Sequence, residues 1–183
     1  MLLGLCAPVL HGCASPSNAS TLPASAAPAQ SSEPLGLLIQ GYNYTDQYIN
    51  SFTVNGQGGG NVFVSTPTSG GGGSACCFDV LASSLPVVLT IRWSAAYCMA
   101  HKDNPLSFGP RQVLERKTFW KEAQITLKDI QRPARALEVH FYKDGHIEAA
   151  ITPGYSPPRL QLPVTADGQR SGAPDPHPLC SPS

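Results

Sequence analysis

The sequence lacks several features that mark common classes of protein. Of its 183 residues, 12 are basic and 12 are acidic, so there is no positive excess of the kind that attracts nucleic acid. No apolar run reaches the roughly 18 residues that a membrane-spanning helix needs. No segment has the clear apolar spacing of an amphipathic helix. We therefore expect no nucleic-acid partner, no transmembrane helix and a fold without long helices.

Motifs of the common catalytic classes are also absent. The glycine runs at 58–60 and 70–73 are not followed by Gly-Lys-Ser/Thr and lack the spacing of a dinucleotide-binding loop. The chain has no Gly-x-Ser-x-Gly, Ser-x-x-Lys or His-Glu-x-x-His motif, and no paired Cys-x-x-Cys motifs that would bind zinc. We predict a protein that is not an enzyme, with no catalytic residues, no metal ligands and no cofactor.

The first residues indicate export. Residues 1–12 are apolar and uncharged, as at the end of a secretory signal peptide. The four residues Leu-His-Gly-Cys that end at Cys13 resemble a bacterial lipobox, except that His11 stands where a small residue is usual. The resemblance implies that Cys13 is lipidated, and Ala14 after it favours anchoring to the periplasmic face of the outer membrane. The alternative is an ordinary cleaved signal peptide.

Both flanks of the mature chain have compositions that disfavour a packed core. Residues 13–34 are rich in Ser, Ala and Pro, so they bury too little apolar surface to offset the entropy of ordering. They predict a lipidated, flexible and disordered tether. Residues 154–183 are similarly polar and rich in proline, which predicts a loose C-terminal tail. The folded domain is therefore expected at 35–153.

Apolar and polar residues alternate in this domain, which predicts half-buried β-strands. Strands without such clear alternation are also expected at 37–42, 48–54 and 61–65. One turn of helix could fit within 110–121. The predicted fold class is mainly β, a small antiparallel β-sandwich or barrel-like domain. The apolar members of the alternating stripes are Val87, Leu89, Ile91 and Trp93; Ala123, Ile125 and Leu127; Leu137, Val139 and Phe141; and Ile147, Ala149 and Ile151.

The last two stripes flank Lys143-Asp144-Gly145 and predict a hairpin. A three-residue loop with a left-handed Gly145 pairs Phe141 with Ile147 and keeps both stripes on one face. A two-residue loop would pair Phe141 with Glu148 and mix the faces. The favoured register also sets His140 opposite Glu148 on the outer face. We interpret this as a solvated cross-strand pair rather than an acid–base dyad, because no third group is positioned beside it.

Four cysteines remain after the signal segment and Cys13, and an even number in an exported chain indicates disulfides. The candidates are Cys76, Cys77, Cys98 and Cys180. Adjacent cysteines point to opposite faces of an extended backbone, so they are expected to have different partners. We predict that one of the adjacent pair bridges to Cys98, while the other reaches Cys180 or stays free.

Six motifs in order carry a resemblance over residues 36–152. The chain resembles a family of small bacterial lipoproteins catalogued as a domain of unknown function. It departs from the family at 78–86, after the cysteine pair. The motifs are Gly41-Tyr42-Asn43-Tyr44-Thr45, Ile49-Asn50-Ser51-Phe52-Thr53-Val54-Asn55-Gly56, Gly58-Gly59-Gly60-Asn61, the glycine run ending in Cys76-Cys77, Ile91-Arg92-Trp93 and Val139-His140-Phe141-Tyr142-Lys143-Asp144-Gly145.

The resemblance implies a periplasmic immunity protein that binds and inhibits a cognate phospholipase effector of a type VI secretion system. Loops at 55–61, 66–75 and 99–112 are the expected inhibitory segments. The expected partner-binding residues are Asn55, Gly58, Gly59, Asn61, Tyr97 and Trp120, whereas Trp93 belongs to a core stripe. Two alternatives remain: an envelope structural or assembly lipoprotein without a toxin partner, and a periplasmic enzyme that would need His140 and Glu148 in a concave pocket.

Overall fold

A computed structural model describes residues 33–106, 108–173 and 178–181. These residues form β-strands and one short 3-10 turn, Ala82–Ser84, so the mainly β prediction is confirmed. No helix in the described part of the chain has the length and hydropathy to cross a membrane. The strands are β1 Leu35–Asn43, β2 Ile49–Val54, β3 Gln57–Val62, β4 Gly71–Val80, β5 Val87–Asp103, β6 Gln112–Leu127, β7 Ala136–Phe141 and β8 Ile147–Thr152.

The strands form one eight-stranded sheet in the order β6-β5-β2-β3-β4-β1-β7-β8. The sheet curls into a half-barrel, so its edge strands β6 and β8 approach each other. Ile130, just after β6, bridges to Ile151 of β8. The β1–β7 pair is parallel, whereas the other strand pairs of the sheet are antiparallel. The curl leaves a concave face that holds the core.

The apolar stripes meet on the concave face. Phe141 of β7 lies at the centre, with its ring centroid 5.2 Å from that of Phe52 and 5.8 Å from that of Trp93. All three side chains are buried, so Trp93 is a core residue as expected. Burial of each large apolar side chain contributes about 1.5–3 kcal/mol. Other buried members of the core include Leu37, Ile39, Val54, Leu89, Ile91, Leu137, Val139 and Ile151.

The predicted β7–β8 hairpin is confirmed in both loop and register. Phe141 pairs with Ile147, Val139 with Ala149 and Leu137 with Ile151. The Tyr142 N–H donates to the His146 carbonyl over 3.1 Å, which closes a three-residue loop. Gly145 has φ of 91°, the left-handed conformation that the loop requires.

Strands β5 and β6 are longer than the alternating stripes indicate. They pair as far as Asp103 with Gln112, so both ends of the expected loop at 99–112 are strand and the loop itself is only 104–111. The turn of helix expected within 110–121 is absent, because β6 begins at Gln112. The paired strands beyond Ser94 form a two-stranded ribbon that leaves the core. Because both faces of the ribbon lie outside the core, its side chains carry no apolar alternation that the sequence could display.

The disulfide pairing differs from the prediction. Cys98 bonds to Cys180, with 4.9 Å between the Cα atoms, and Cys76 bonds to Cys77. The expected bridge from the adjacent pair to Cys98 is therefore wrong. The reason is the path of the C-terminal segment, which returns alongside β5. There the Met99 N–H donates to the Pro178 carbonyl over 2.8 Å, and the Cys180 N–H donates to the Met99 carbonyl over 2.9 Å.

The expectation of a loose C-terminal tail is also wrong for its described residues. Residues 154–173 pack on the sheet, and the Arg170 side chain is buried. One Arg170 Nη donates to Ser65 Oγ over 2.8 Å, and the other donates to the Leu162 carbonyl over 3.0 Å. Buried polar groups thus order a segment whose composition offers little apolar surface.

The glycines at 58–60 lie in β3 rather than in a loop. The preceding hairpin turn is only Asn55-Gly56, with φ of 49° and 84°. This is the two-residue turn that positive φ favours. Gly59 lies beneath the buried Phe52, where an added Cβ would approach the ring to 2.2 Å, while a Cβ on Gly58 would meet nothing within 4 Å. The run therefore includes a position where the core leaves no room for a side chain.

We expect Gly59→Ala to lower the free energy of unfolding by about 2 kcal/mol, because Phe52 is fully buried and must shift to admit a methyl group. Gly58→Ala is the matched control and is expected to change stability by less than about 0.5 kcal/mol. Urea unfolding of both variants measures the difference. Equal stability of the two variants would contradict the packing described here.

Candidate functional site

Part of the expected site lies outside the described residues. Cys13, the signal segment 1–12 and all but the last two residues of the tether 13–34 are not described. Most of the remaining chemistry lies in two places, a buried cluster around His140 and the ribbon of β5 and β6, while further candidates lie on β3 and at the turn before it.

His140 is the chemically richest candidate, and it is buried. It pairs with Glu148 in the predicted register, but it is 0% exposed, so the expected solvated cross-strand pair is wrong. Its ring stacks on Tyr42 with centroids 4.5 Å apart, and its Nδ1 lies 3.2 Å from Tyr44 Oη. Its Nε2 lies 3.4 Å from Oε2 of Glu138, a residue that the alternation placed on the solvent side. Glu138, not Glu148, is the carboxylate beside it.

The C-terminal tail explains this burial, because it lies over the outer face of β1 and β7. The Ser156 N–H donates to Glu138 Oε1 over 2.7 Å, and Tyr42 Oη lies 2.8 Å from the Ser156 carbonyl. The Arg159 N–H donates to Tyr44 Oη over 2.8 Å, and the Arg159 guanidinium donates to Glu148. These polar contacts join the tail to the sheet and close the cluster to solvent.

Burial sets the protonation of the cluster. It lowers the pKa of His140, since desolvation outweighs the nearby Glu138 carboxylate. Desolvation also acts on Glu138, but the neighbouring His140 and the hydrogen bonds from Ser156 and Tyr42 outweigh it and lower the pKa of Glu138. Desolvation, together with Glu138, raises the pKa of Tyr42. A neutral imidazole and a hydrogen-bonded carboxylate sit beneath a covering segment, an arrangement that stabilises the tail.

The second place is the outer face of the ribbon. We call Tyr97 and Arg116 on the ribbon, together with Trp120 and Arg92 at its base, the ribbon face. The Arg92 guanidinium lies 4.5 Å from the Trp120 ring centroid, and the Arg116 guanidinium lies 4.6 Å from that of Tyr97. Trp120 is 43% exposed. Cation–π contacts of this kind hold large side chains in place while leaving their surfaces open to solvent.

Strand register shows that these four side chains share one face. Tyr97 pairs with Thr118, which is two residues from Trp120 along β6, and cross-strand partners point to the same side. Phe119, between them in sequence, therefore points to the opposite face, where it is 56% exposed. The ribbon thus carries an exposed aromatic residue on each side.

The other expected partner-binding residues are spread over the sheet. Gly58 pairs with Thr53, which pairs with Arg92, so Gly58 lies on the same outer face as the ribbon face. Asn61 is exposed on β3, and the Asn55 side-chain oxygen accepts from the Thr90 N–H over 2.7 Å at the hairpin turn. Gly59 is buried, so its placement at a binding surface is wrong.

A cavity of about 210 Å³ opens beside Tyr97. Tyr48 and Phe63 line it, with ring centroids 4.9 Å apart, and Phe63 is 62% exposed. Aromatic walls next to an exposed aromatic–arginine surface fit the pockets in which interface anchors bind. Sequence reasoning missed Arg92, Arg116 and Phe63, since only strand register shows which aromatic rings they approach.

The fold and its surface define a disulfide-bonded, half-barrel β protein with an exposed aromatic–arginine face. Within the described residues, no three His, Cys, Asp or Glu side chains group closely enough to hold a metal ion. The family described as protein of unknown function, DUF3304, matches residues 42–149, more than half of the chain. The chain belongs to this family. No curated protein and no solved structure matches it significantly.

We expect His140 to make stability depend on pH. Its pKa is lower in the folded protein than the unfolded value of about 6.5, so the unfolded chain binds the proton more readily. The contribution of His140 to the free energy of unfolding is then fully present above about pH 6.5. It falls, by at most about 1.4 kcal/mol per pH unit, as the pH drops towards the pKa of His140 in the folded protein. Urea unfolding between pH 7 and pH 5 measures the slope.

In the variant His140→Gln, the free energy of unfolding is expected to depend much less on pH, whatever the variant's stability at pH 7. His146→Gln is the matched control, because His146 is about half exposed on the same hairpin, and it is expected to keep the slope. Equal slopes in the wild type and His140→Gln would contradict the assignment.

Proposed function

We propose that this protein is a periplasmic immunity protein that binds and inhibits a phospholipase effector of a type VI secretion system. The observation that carries the proposal is the ribbon face. Trp, Tyr and Arg are the residue types enriched at the energetic centres of protein interfaces. Here the exposed Trp120, Arg92 and Arg116 lie on one face with the half-buried Tyr97. The family resemblance noted in the sequence supplies the class of partner.

The geometry of the ribbon suits an inhibitor. From Ala96 to Asp103, β5 extends beyond its pairing with β2 by eight residues, roughly 25 Å at strand spacing. A projection of this length can enter or cover a substrate cleft. An aromatic ring with a stacked guanidinium group, as at Trp120 and Arg92, can contact both apolar and acidic side chains of a partner.

The ribbon is also held before any partner binds. The Cys98–Cys180 disulfide joins it to the C-terminal segment, whose two hydrogen bonds with Met99 run along the β5 edge. A surface that is already ordered loses less entropy on binding, which favours affinity. The same disulfide supports an oxidising compartment such as the periplasm. Within the proposal, Cys13 carries the lipid that anchors the protein to the outer membrane.

We expect a phospholipase effector to be encoded beside this protein, and stoichiometric addition of this protein to abolish the activity of that effector on vesicles. Trp120→Ala is expected to weaken inhibition at least about tenfold, because it removes a large interface anchor. Phe119→Ala, which truncates a somewhat more exposed aromatic residue on the opposite face, is the matched control and is expected to inhibit like the wild type.

Full lipase activity in the presence of the wild-type protein would overturn the immunity proposal and favour an envelope structural role. Inhibition that is lost with Phe119→Ala and kept with Trp120→Ala would retain the function but move the contact surface to the other side of the ribbon. Co-purification of the two proteins provides the parallel measurement of binding.

We expect Cys13→Ser to release the protein from the membrane fraction into the soluble periplasmic fraction, because the acylated thiol is removed. Fractionation of cells that express the wild type and the variant checks this, with Cys6→Ser as a matched control that leaves the acceptor cysteine in place. Unchanged membrane association of Cys13→Ser would contradict the lipid anchor.

A further inference from the structure

We propose that this protein forms a homodimer through the free edge of β6, where two copies of the strand pair antiparallel about a two-fold axis at Thr118. β6 ends the sheet, and among the described residues its backbone from Gln112 to Gln124 hydrogen-bonds only to β5. A free edge presents unpaired N–H and C=O groups to another strand. This inference does not depend on the proposed function.

β6 lacks most of the devices that protect an edge strand. Its 16 residues include no proline and no glycine. The single bulge in its ladder lies on β5, between Ser94 and Ala96, so β6 itself is regular. Charged side chains are the remaining protection, and their order therefore decides what the edge accepts.

Symmetry restricts the pairings that two copies can adopt. The axis that relates two antiparallel edge strands is perpendicular to the sheet, so it keeps the outer faces on the same side. Directly opposed residues share a face. The two-fold axis must therefore pass beside one residue of β6 and not between two residues. A residue that lies a given number of positions before this one then faces, in the second copy, the residue that lies the same number of positions after it.

The charge sequence selects one of these axes. An axis at Thr118 sets Glu115 opposite Lys121 of the second copy, and symmetry makes this attractive pair occur twice. An axis one residue earlier sets Lys117 opposite itself. An axis one residue later sets Arg116 opposite Glu122 but also Lys117 opposite Lys121, so an attractive pair and a repulsive pair offset each other. Opposite charges across strands are stabilising and like charges directly opposed are destabilising. The strand is thus self-complementary about Thr118.

The same register covers exposed aromatic side chains. Trp120 lies opposite Arg116 of the second copy, and Phe119 lies opposite its Lys117. These two rings are 43% and 56% exposed in the single chain. Phe119 faces a lysine of the other copy and Trp120 faces an arginine that lies over Tyr97 and donates to Asn50 within its own chain. The pairing therefore covers apolar surface on both rings, and it adds a cation contact at Phe119.

The expected dimer is weak. Seven paired residues, from Glu115 to Lys121, bury less area than the roughly 1,600 Å² of a standard interface. We therefore expect a dissociation constant on the order of 10 µM. Sedimentation velocity from about 1 to about 200 µM measures it, on the full chain with Cys13→Ser so that no lipid drives association.

Glu115→Lys and Lys121→Glu each turn both attractive pairs into repulsive ones, so each is expected to weaken the dimer at least about tenfold. The double variant Glu115→Lys with Lys121→Glu exchanges the charges and is expected to restore the wild-type constant within about threefold. Lys102→Ala is the control for intrachain effects, since Lys102 Nζ lies 2.7 Å from Glu115 Oε1 within one copy. It is expected to leave dimerisation unchanged.

A wild-type protein that stays monomeric throughout the concentration range overturns the proposal. So does a double variant that stays as weak as the single variants, because the Glu115–Lys121 register would then be wrong. Dimerisation that weakens with Lys102→Ala as much as with Glu115→Lys also overturns it, since the charge of Glu115 would then act within one chain.

Discussion

The attachment of the C-terminal tail to β7 is the constraint on which the rest of the structure depends. Glu138 is the centre of it: its carboxylate accepts from the Ser156 N–H and from Tyr42, and it lies beside His140. Each hydrogen bond to a buried carboxylate is worth about 1.5–3 kcal/mol. Together they offset the cost of removing the charge from water. The tail can then cover β7, whose six residues are all buried.

The position of the tail on β1 and β7 also determines where the C-terminal segment meets β5, on the other side of the half-barrel. Once residues 155–170 lie on the sheet, the chain is led back towards β5, where Cys180 reaches Cys98 across a sequence separation of 82. A disulfide that closes so long a loop removes about 4.5 kcal/mol of conformational freedom from the unfolded chain, on the loop-entropy estimate. The base of the exposed ribbon is therefore held by a segment that buried polar groups position some distance away.

Because the tail, and not the local pattern of each strand, decides which polar residues are buried, the sequence predicts some features of the fold and not others. The β7–β8 register follows from local rules, because Gly145 permits one loop and the apolar stripes permit one alignment. The ribbon has no stripe to detect, since its faces lie outside the core. Glu138 and His140 look like solvent-facing residues in the alternation, and only the tail reverses this. The Cys98–Cys180 pairing could not be predicted for the same reason, whereas Tyr97 and Trp120 stood out because they lie outside the stripes.

In the two proposals, side chains of β6 contact the effector, whereas the free backbone edge of β6 pairs with a second copy of the protein. The two uses share residues: Trp120 belongs to the ribbon face, and in the dimer it lies opposite Arg116 of the second copy. Effector binding and dimerisation are then coupled, and coupling between two binding equilibria is reciprocal. Because the second copy covers part of the Trp120 ring, dimerisation and effector binding compete for it, and each weakens the other by the same factor. The size of this factor reports how much of Trp120 the strand pairing covers.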